Sequence, residues 1–262
     1  MELGLAGRTV VVTGSSRGIG LAVARAFLRE DAVVVLTGRT TGPLEHAARA
    51  LGAEFGQANV ASFAGDLADP TAVARLAATV RQRFGSLDHL VANVGSGRSV
   101  PPLAEDAAEM RRMLEINLLT AQTAAAGLLP LLRETAASGA DASIVFISSI
   151  CGEEALGCPV AYAAAKAALN AYAKNISRPL GAAGVRVNVL SPGNVVFPGS
   201  TWEDKLAADA EAVAAMLARE VPLGRLGTDR EVADVAVFLA SARAAFVTGA
   251  DWIVDGGQTR AL

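Results

Sequence analysis

Thr9-Val10-Val11-Val12-Thr13-Gly14-Ser15-Ser16-Arg17-Gly18-Ile19-Gly20 decides how the rest of the chain is read. A β-branched run passes straight into a turn carrying three glycines, and the turn opens an amphipathic segment that extends to about Arg29. A phosphate group suits such a junction. Glycines let the backbone approach closely, and the first turn of a helix offers unpaired N–H groups at its positive dipole end. Gly14, Ser16, Arg17, Gly18, Ile19 and Gly20 are therefore candidates for holding a dinucleotide, in the spacing G-x-x-x-G-x-G.

Outward from this turn, short β-branched runs alternate with longer Ala-rich segments of helical period, the pattern of repeated β–α units around a parallel sheet. Strands are expected at 9–13, 32–37, 60–65, 87–93, 143–148, 185–190 and 251–254. Helices are expected at 17–29, 45–51, 105–135, 160–180 and 229–240, and another opens with Asp69 as N-cap and Pro70 at the first helical position. Residues 192–222 break the rhythm, and an amphipathic piece at 204–219 suggests a lid over a ligand, spanning about 194–222. The second strand ends in Thr37-Gly38-Arg39, where an NAD site would carry a carboxylate for the ribose 2′-hydroxyl. Arg39, with Arg17, offers guanidinium groups to a 2′-phosphate instead, so NADP(H) is the preferred cofactor and NAD(H) remains possible.

Composition narrows the alternatives. The 262 residues are 52% hydrophobic and 19% charged with net charge −3, and the 23 Lys and Arg are scattered. A nucleic-acid footprint and a polybasic membrane patch are not expected, and a small molecule is the expected partner. Cys151 and Cys158 are too few for a disulfide scaffold and lack C-x-x-C spacing. His46 and His89 are far apart, which disfavours a zinc site or a histidine-dependent triad, so no metal is expected. With no recognisable signal segment and no apolar run of spanning length, a cytoplasmic protein is expected.

Tyr162 and Lys166 stand four residues apart, so on a helix they share a face. An ammonium beside a phenol favours phenolate and is expected to lower the tyrosine pKa toward neutrality. Ser148-Ser149 closes the fifth strand, and the carboxyl ends of parallel strands are where such sheets bind ligands. A serine there suits orienting a carbonyl; no G-x-S-x-G elbow marks it as a nucleophile.

Thr13 to Gly20, Asn93, Asn117, Ser149, Tyr162 and Lys166, followed by Ser191-Pro192-Gly193, resemble the short-chain dehydrogenase/reductase superfamily over nearly the whole chain. The resemblance implies an α/β fold: one Rossmann-like, doubly wound parallel sheet of about seven strands, with helices on both faces, over residues 1–262. It further implies hydride transfer between a nicotinamide and a carbonyl or secondary alcohol. Tyr162 would be the general acid/base, Ser149 would hydrogen-bond the substrate oxygen, and Lys166 would bind the nicotinamide ribose and depress the tyrosine pKa. Asn117 would keep a water in a relay to that lysine. Asn93 and Gly95 belong to the cofactor site, Asp66 and Leu67 would border the adenine, and Pro192, Gly193 and Val195 would lie by the nicotinamide. Two departures are visible: Ala92-Asn93-Val94-Gly95 replaces the usual N-N-A-G, and Phe197 stands where a threonine is common.

Within the family the near relatives are 3-oxoacyl carrier-protein reductases and carbonyl reductases. The turn Gly181-Ala182-Ala183-Gly184 lacks the basic residue with which the former tend to dock their carrier. Residues 152–157 and 194–206 should line the substrate pocket, with Phe197, Trp202 and Leu206 beside Glu153 and Glu154. Alanine-rich helices suggest a homotetramer, or a homodimer. A non-catalytic NADP-binding regulator, or an epimerase or dehydratase with tightly held nicotinamide, are the alternative functions.

Overall fold

The computed structural model describes residues 2–260. The first half of the sheet is built from β1 (Thr9–Val12), α1 (Gly18–Arg29), β2 (Val33–Gly38), α2 (Thr41–Phe55) and β3 (Val60–Ala64). α3 (Pro70–Phe84), β4 (His89–Ala92), α4 (Ala107–Leu114), α5 (Thr120–Ala137), β5 (Ala142–Ile147), α6 (Val160–Ala182) and β6 (Val185–Pro192) complete the second. Then come β7 (Val195–Val196), α7 (Thr201–Ala208), α8 (Ala210–Glu220), β8 (Gly227–Thr228), α9 (Asp229–Ala240) and β9 (Asp251–Val254). Seven strands form one parallel sheet in the order β3-β2-β1-β4-β5-β6-β9, while β7 and β8 pair apart from it. The order reverses between β1 and β4, which opens a crevice at their carboxyl ends.

Strand alternation distributes the core over two layers. Val10 and Val12 of β1 and Val145 and Ile147 of β5 pack with α1, α2 and α9 on one face. Val11, Ile144 and Phe146 point the other way, into the layer of α3, α5 and α6. Because both faces are covered, these strands read as continuous apolar runs. Single-domain Rossmann-like architecture is what results.

Several boundaries differ from the sequence reading for local reasons. The expected helix over 105–135 is divided by a π-turn at Glu115–Leu119. Thr120 Oγ1 donates to the Glu115 carbonyl (2.9 Å), and Asn117 Nδ2 donates to Met113 O (3.1 Å), so side chains satisfy backbone in the widened turn. The amphipathic piece at 204–219 is two helices. Asp209 leaves helical geometry between them and caps α8, accepting from Ala212 N–H at 2.9 Å. α2 extends beyond 45–51 at both ends, and Pro43 is tolerated there because it lies in the first turn. Asp69 caps α3 as expected, accepting from Thr71 N–H at 2.8 Å. No helix among the described residues is long and apolar enough to cross a membrane.

Candidate active site

Gly14 (φ +62°) and Gly18 (φ +57°) occupy left-handed backbone, which glycine enters without steric cost. A Cβ on Gly20 would lie 2.5 Å from both Asn93 Nδ2 and Gly14 O. Asn93 is committed to this turn: Nδ2 donates to Thr13 O (3.0 Å) and Gly14 O (3.2 Å), and its N–H donates to Thr13 Oγ1 (2.8 Å). Ser15 fastens the other side, where Oγ donates to Val12 O (2.7 Å) and accepts from Thr37 N–H (3.0 Å). α1 then starts at Gly18 with Arg17 as N-cap, without a side-chain cap or an acid in its first turn. Bare glycines and an uncapped helix start fit a dinucleotide phosphate.

Around the turn, Arg39 is exposed just beyond β2, and Arg17 is exposed with Nη1 beside Gly199, 3.1 Å from where a Cβ there would lie. Asp66 is exposed beyond β3 and accepts from Ala68 N–H at 3.1 Å, whereas Leu67 is buried.

Ser149 leaves β5 and caps the short 3-10 turn that follows, its Oγ accepting from Cys151 N–H at 3.2 Å. Tyr162 stands in the first turn of α6 and lines one cleft with Ser149. Lys166 lies one turn on, with Nζ 6.0 Å from the Tyr162 ring centroid and donating to Ile147 O at 2.9 Å. The loop after β4 closes over this group. A Cβ on Gly95 would sit 2.8 Å from Asn117 Oδ1 and 3.1 Å from Lys166 Nζ, and one on Gly97 would sit 3.7 Å from Tyr162 Cζ. Asn117 is fully buried; Oδ1 accepts from Ser96 N–H (2.9 Å) and Nδ2 donates to Ser96 O (3.1 Å). Its side chain thus braces the loop over Lys166 instead of facing the cleft.

The expected lowering of the tyrosine pKa is not found. Burial raises the Tyr162 phenol, with the nearby Ser149 hydroxyl opposing, and burial lowers Lys166 to about 8. With its ammonium committed to Ile147 O, the lysine does not outweigh desolvation of the phenol.

A cleft of about 640 Å³ opens at these strand ends, and Ser149, Tyr162, Ile19, Pro192, Gly193 and Val195 line it. Gly14, Arg39, Asp66 and Leu67 lie outside it, along the ends of β1, β2 and β3. Phe197 sits on the glycine turn: a Cβ on Gly18 would lie 2.6 Å from its ring. Phe197, Trp202 and Glu154 reach the cleft as expected, but Leu206 packs with Val213, Leu217 and Val221, and Glu153 turns away to bond Asn170. Cys151 and Cys158, set aside in the sequence reading, are joined in a disulfide that closes part of the wall. Two cysteines cannot staple a fold, but they can pin one loop. Gln258, Arg219, Glu220 and Arg260 also line the cleft and were missed. Their only sequence signal is proximity to Asp255-Gly256-Gly257 or to the 192–222 excursion.

The family model described as enoyl-(acyl carrier protein) reductase matches residues 14–259. An L-fucose dehydrogenase of Oryctolagus cuniculus is 38% identical over 255 residues, covering 96% of this chain and 85% of that protein. A cis-4-hydroxycyclohexanecarboxylate dehydrogenase of Sinomonas cyclohexanicum is 38% identical over 253 residues, 96% of each. Among solved structures, the L-sorbose reductase of Gluconobacter frateurii, complexed with NADPH and L-sorbose, superposes with a TM-score of 0.91 at 32% identity over 100% of both chains. With this glycine turn, this sheet and these matches along nearly its whole length, the chain belongs to the short-chain dehydrogenase/reductase family of NAD(P)-dependent oxidoreductases.

Proposed function

We propose that the protein is an NADPH-dependent reductase of a small carbonyl compound, or a dehydrogenase of the matching secondary alcohol, with Tyr162 as general acid/base. The observation that carries this reading is that Ser149 and Tyr162 line one cleft at the strand ends, with Lys166 one helical turn from the tyrosine. A nicotinamide held at this site would supply the hydride, or take it in the reverse direction. Ser149 Oγ donates to the substrate oxygen, and the Tyr162 hydroxyl gives its proton there as negative charge develops. A phenol whose pKa is raised by burial holds that proton at neutral pH until the oxygen becomes basic enough to take it. Lys166 would hold the nicotinamide ribose, and Asn117 is a positioning residue that fixes the loop at Gly95.

Gly14, Ser16, Gly18 and Gly20 would hold the pyrophosphate, Arg39 the 2′-phosphate, and residues 194–222 would act as the lid. NADPH as cofactor is supported by the absence of a carboxylate at the end of β2 and by the NADPH-bound relative. A homotetramer built on α5 and α6, acting in the cytoplasm where reduced NADP is plentiful, completes the proposal.

Tyr162→Phe tests it. Turnover should fall by roughly 10²–10⁴-fold while NADPH affinity, followed by fluorescence titration, is retained. Turnover at the wild-type rate in this variant would remove Tyr162 as the acid.

A further inference from the structure

The far wall of the cleft holds a pair of amides that the reaction itself does not use. Asn194 Nδ2 donates to Gln258 Oε1 at 2.8 Å, and both residues line the cleft with Ser149 and Tyr162. Gln258 is only 9% exposed. Asn194 Nδ2 also reaches Met216 Sδ at 3.9 Å, but Asn194 Oδ1 and Gln258 Nε2 have no protein partner among the described residues. Neither is sealed away from the cleft as a buried, unpaired atom.

The pair is rigidly held. Asp255 accepts from Gly257 N–H (2.8 Å), Thr259 N–H (2.7 Å) and Thr259 Oγ1 (2.8 Å), which locks the backbone on both sides of Gln258. Gly193 N–H donates to Val254 O and Gly227 N–H to Asn194 O, each at 2.9 Å, which does the same for Asn194. A Cβ on Gly193 would lie 2.7 Å from Asp255 Cβ, so the two segments meet closely. Such a site is organised before anything binds.

Asn194 Oδ1 is left to accept and the Gln258 NH₂ group to donate, which matches a group that both donates and accepts. A hydroxyl does this; a carboxylate or phosphate would meet the Asn194 oxygen with like polarity, and an alkyl group would strand both amides. We infer that Asn194 and Gln258 are specificity-determining residues that read a hydroxyl on the substrate additional to the reacting oxygen, so that the substrate class is a hydroxylated ketone or polyol. The inference rests on the reductase reading and deepens it.

The test compares kcat/KM for a ketohexose and its singly deoxygenated analogues, with NADPH, in the wild type and in Gln258→Leu. In the wild type, removal of one particular hydroxyl should lower kcat/KM at least tenfold. In Gln258→Leu the parent sugar should fall by a similar factor, the same deoxygenated analogue should lose nothing further, and NADPH affinity should be unchanged. Gln258→Glu keeps the bond from Asn194 but replaces the donor by an acceptor; it should give the same result if the leucine variant does not fold. A uniform fall across all analogues, an unaltered pattern, or turnover of cyclohexanone without any of hydroxylated ketones would overturn the inference. Failure to turn over either class would instead overturn the reductase reading beneath it.

Discussion

Tyr162 and Lys166 sit a single helical turn apart, and burial drives their pKa values in opposite directions, the phenol upward and the ammonium down to about 8. Under the proposal, cofactor choice turns on Arg39, which is exposed just beyond β2. Arg39→Ala should weaken NADPH binding about tenfold, the loss of one charge-assisted contact, and leave NADH binding unchanged; equal effects on both would remove the 2′-phosphate role. His89 illustrates the opposite fate of a titratable group. It is buried in β4 with Nδ1 2.9 Å from Ser143 Oγ, and burial lowers its pKa to about 3. The unfolded chain therefore binds a proton that the folded chain refuses between pH 6.5 and about 3. Stability from this residue is whole above that window and is lost as pH falls through it, by about 2 kcal/mol at pH 5. Urea unfolding should show that increment in the wild type and not in His89→Gln. The Tyr162–Lys166 pair was legible in the sequence because helical spacing places residues four apart on one face. Gln258 was not, since its partner Asn194 is 64 residues away and only the fold brings them together.

Elements place these residues, and their interruptions matter as much as their runs. Periodicity showed the strands and the long α6, where the pattern repeats over many residues. It missed the π-turn at Asn117, because one extra residue in a turn hardly changes an apolar pattern, and the break at Asp209, which depends on a single capping carboxylate. The β7–β8 pair is two residues long on each side, too short to carry any alternation. The loop between Ser149 and Tyr162 is pinned by Cys151 and Cys158, seven residues apart in sequence. Closing so short a loop stabilises the folded chain by about 2 kcal/mol in the chain-entropy picture. Reduction with a dithiol, or the double variant Cys151→Ser/Cys158→Ser, should raise the substrate KM and lower the stability by up to that amount without altering NADPH affinity. An unchanged KM would mean that the bridge has no hold on the pocket. In a reducing cytoplasm such a bridge would stand open much of the time.

At the scale of the whole molecule, the crevice lies where strand order reverses, so the glycine turn and the start of α6 meet over a parallel sheet whose two faces are both covered. Overall architecture was legible in advance, because parallel strands buried on both faces announce themselves as apolar runs between helical segments. Assembly is a separate expectation: light scattering should give about four times the 26.7 kDa chain mass, and the mass of a single chain would rule out the tetramer. The most direct test of the central claim follows a labelled hydride. Wild-type protein is given NADPH carrying deuterium at the transferable C4 position together with a hydroxylated ketone, and the product is examined by mass spectrometry. Deuterium should appear on the new carbinol carbon, and formation of this product should fall to a trace in Tyr162→Phe with NADPH still bound. Product without the label, or labelled product formed at full rate by the phenylalanine variant, would contradict hydride transfer assisted by that phenol.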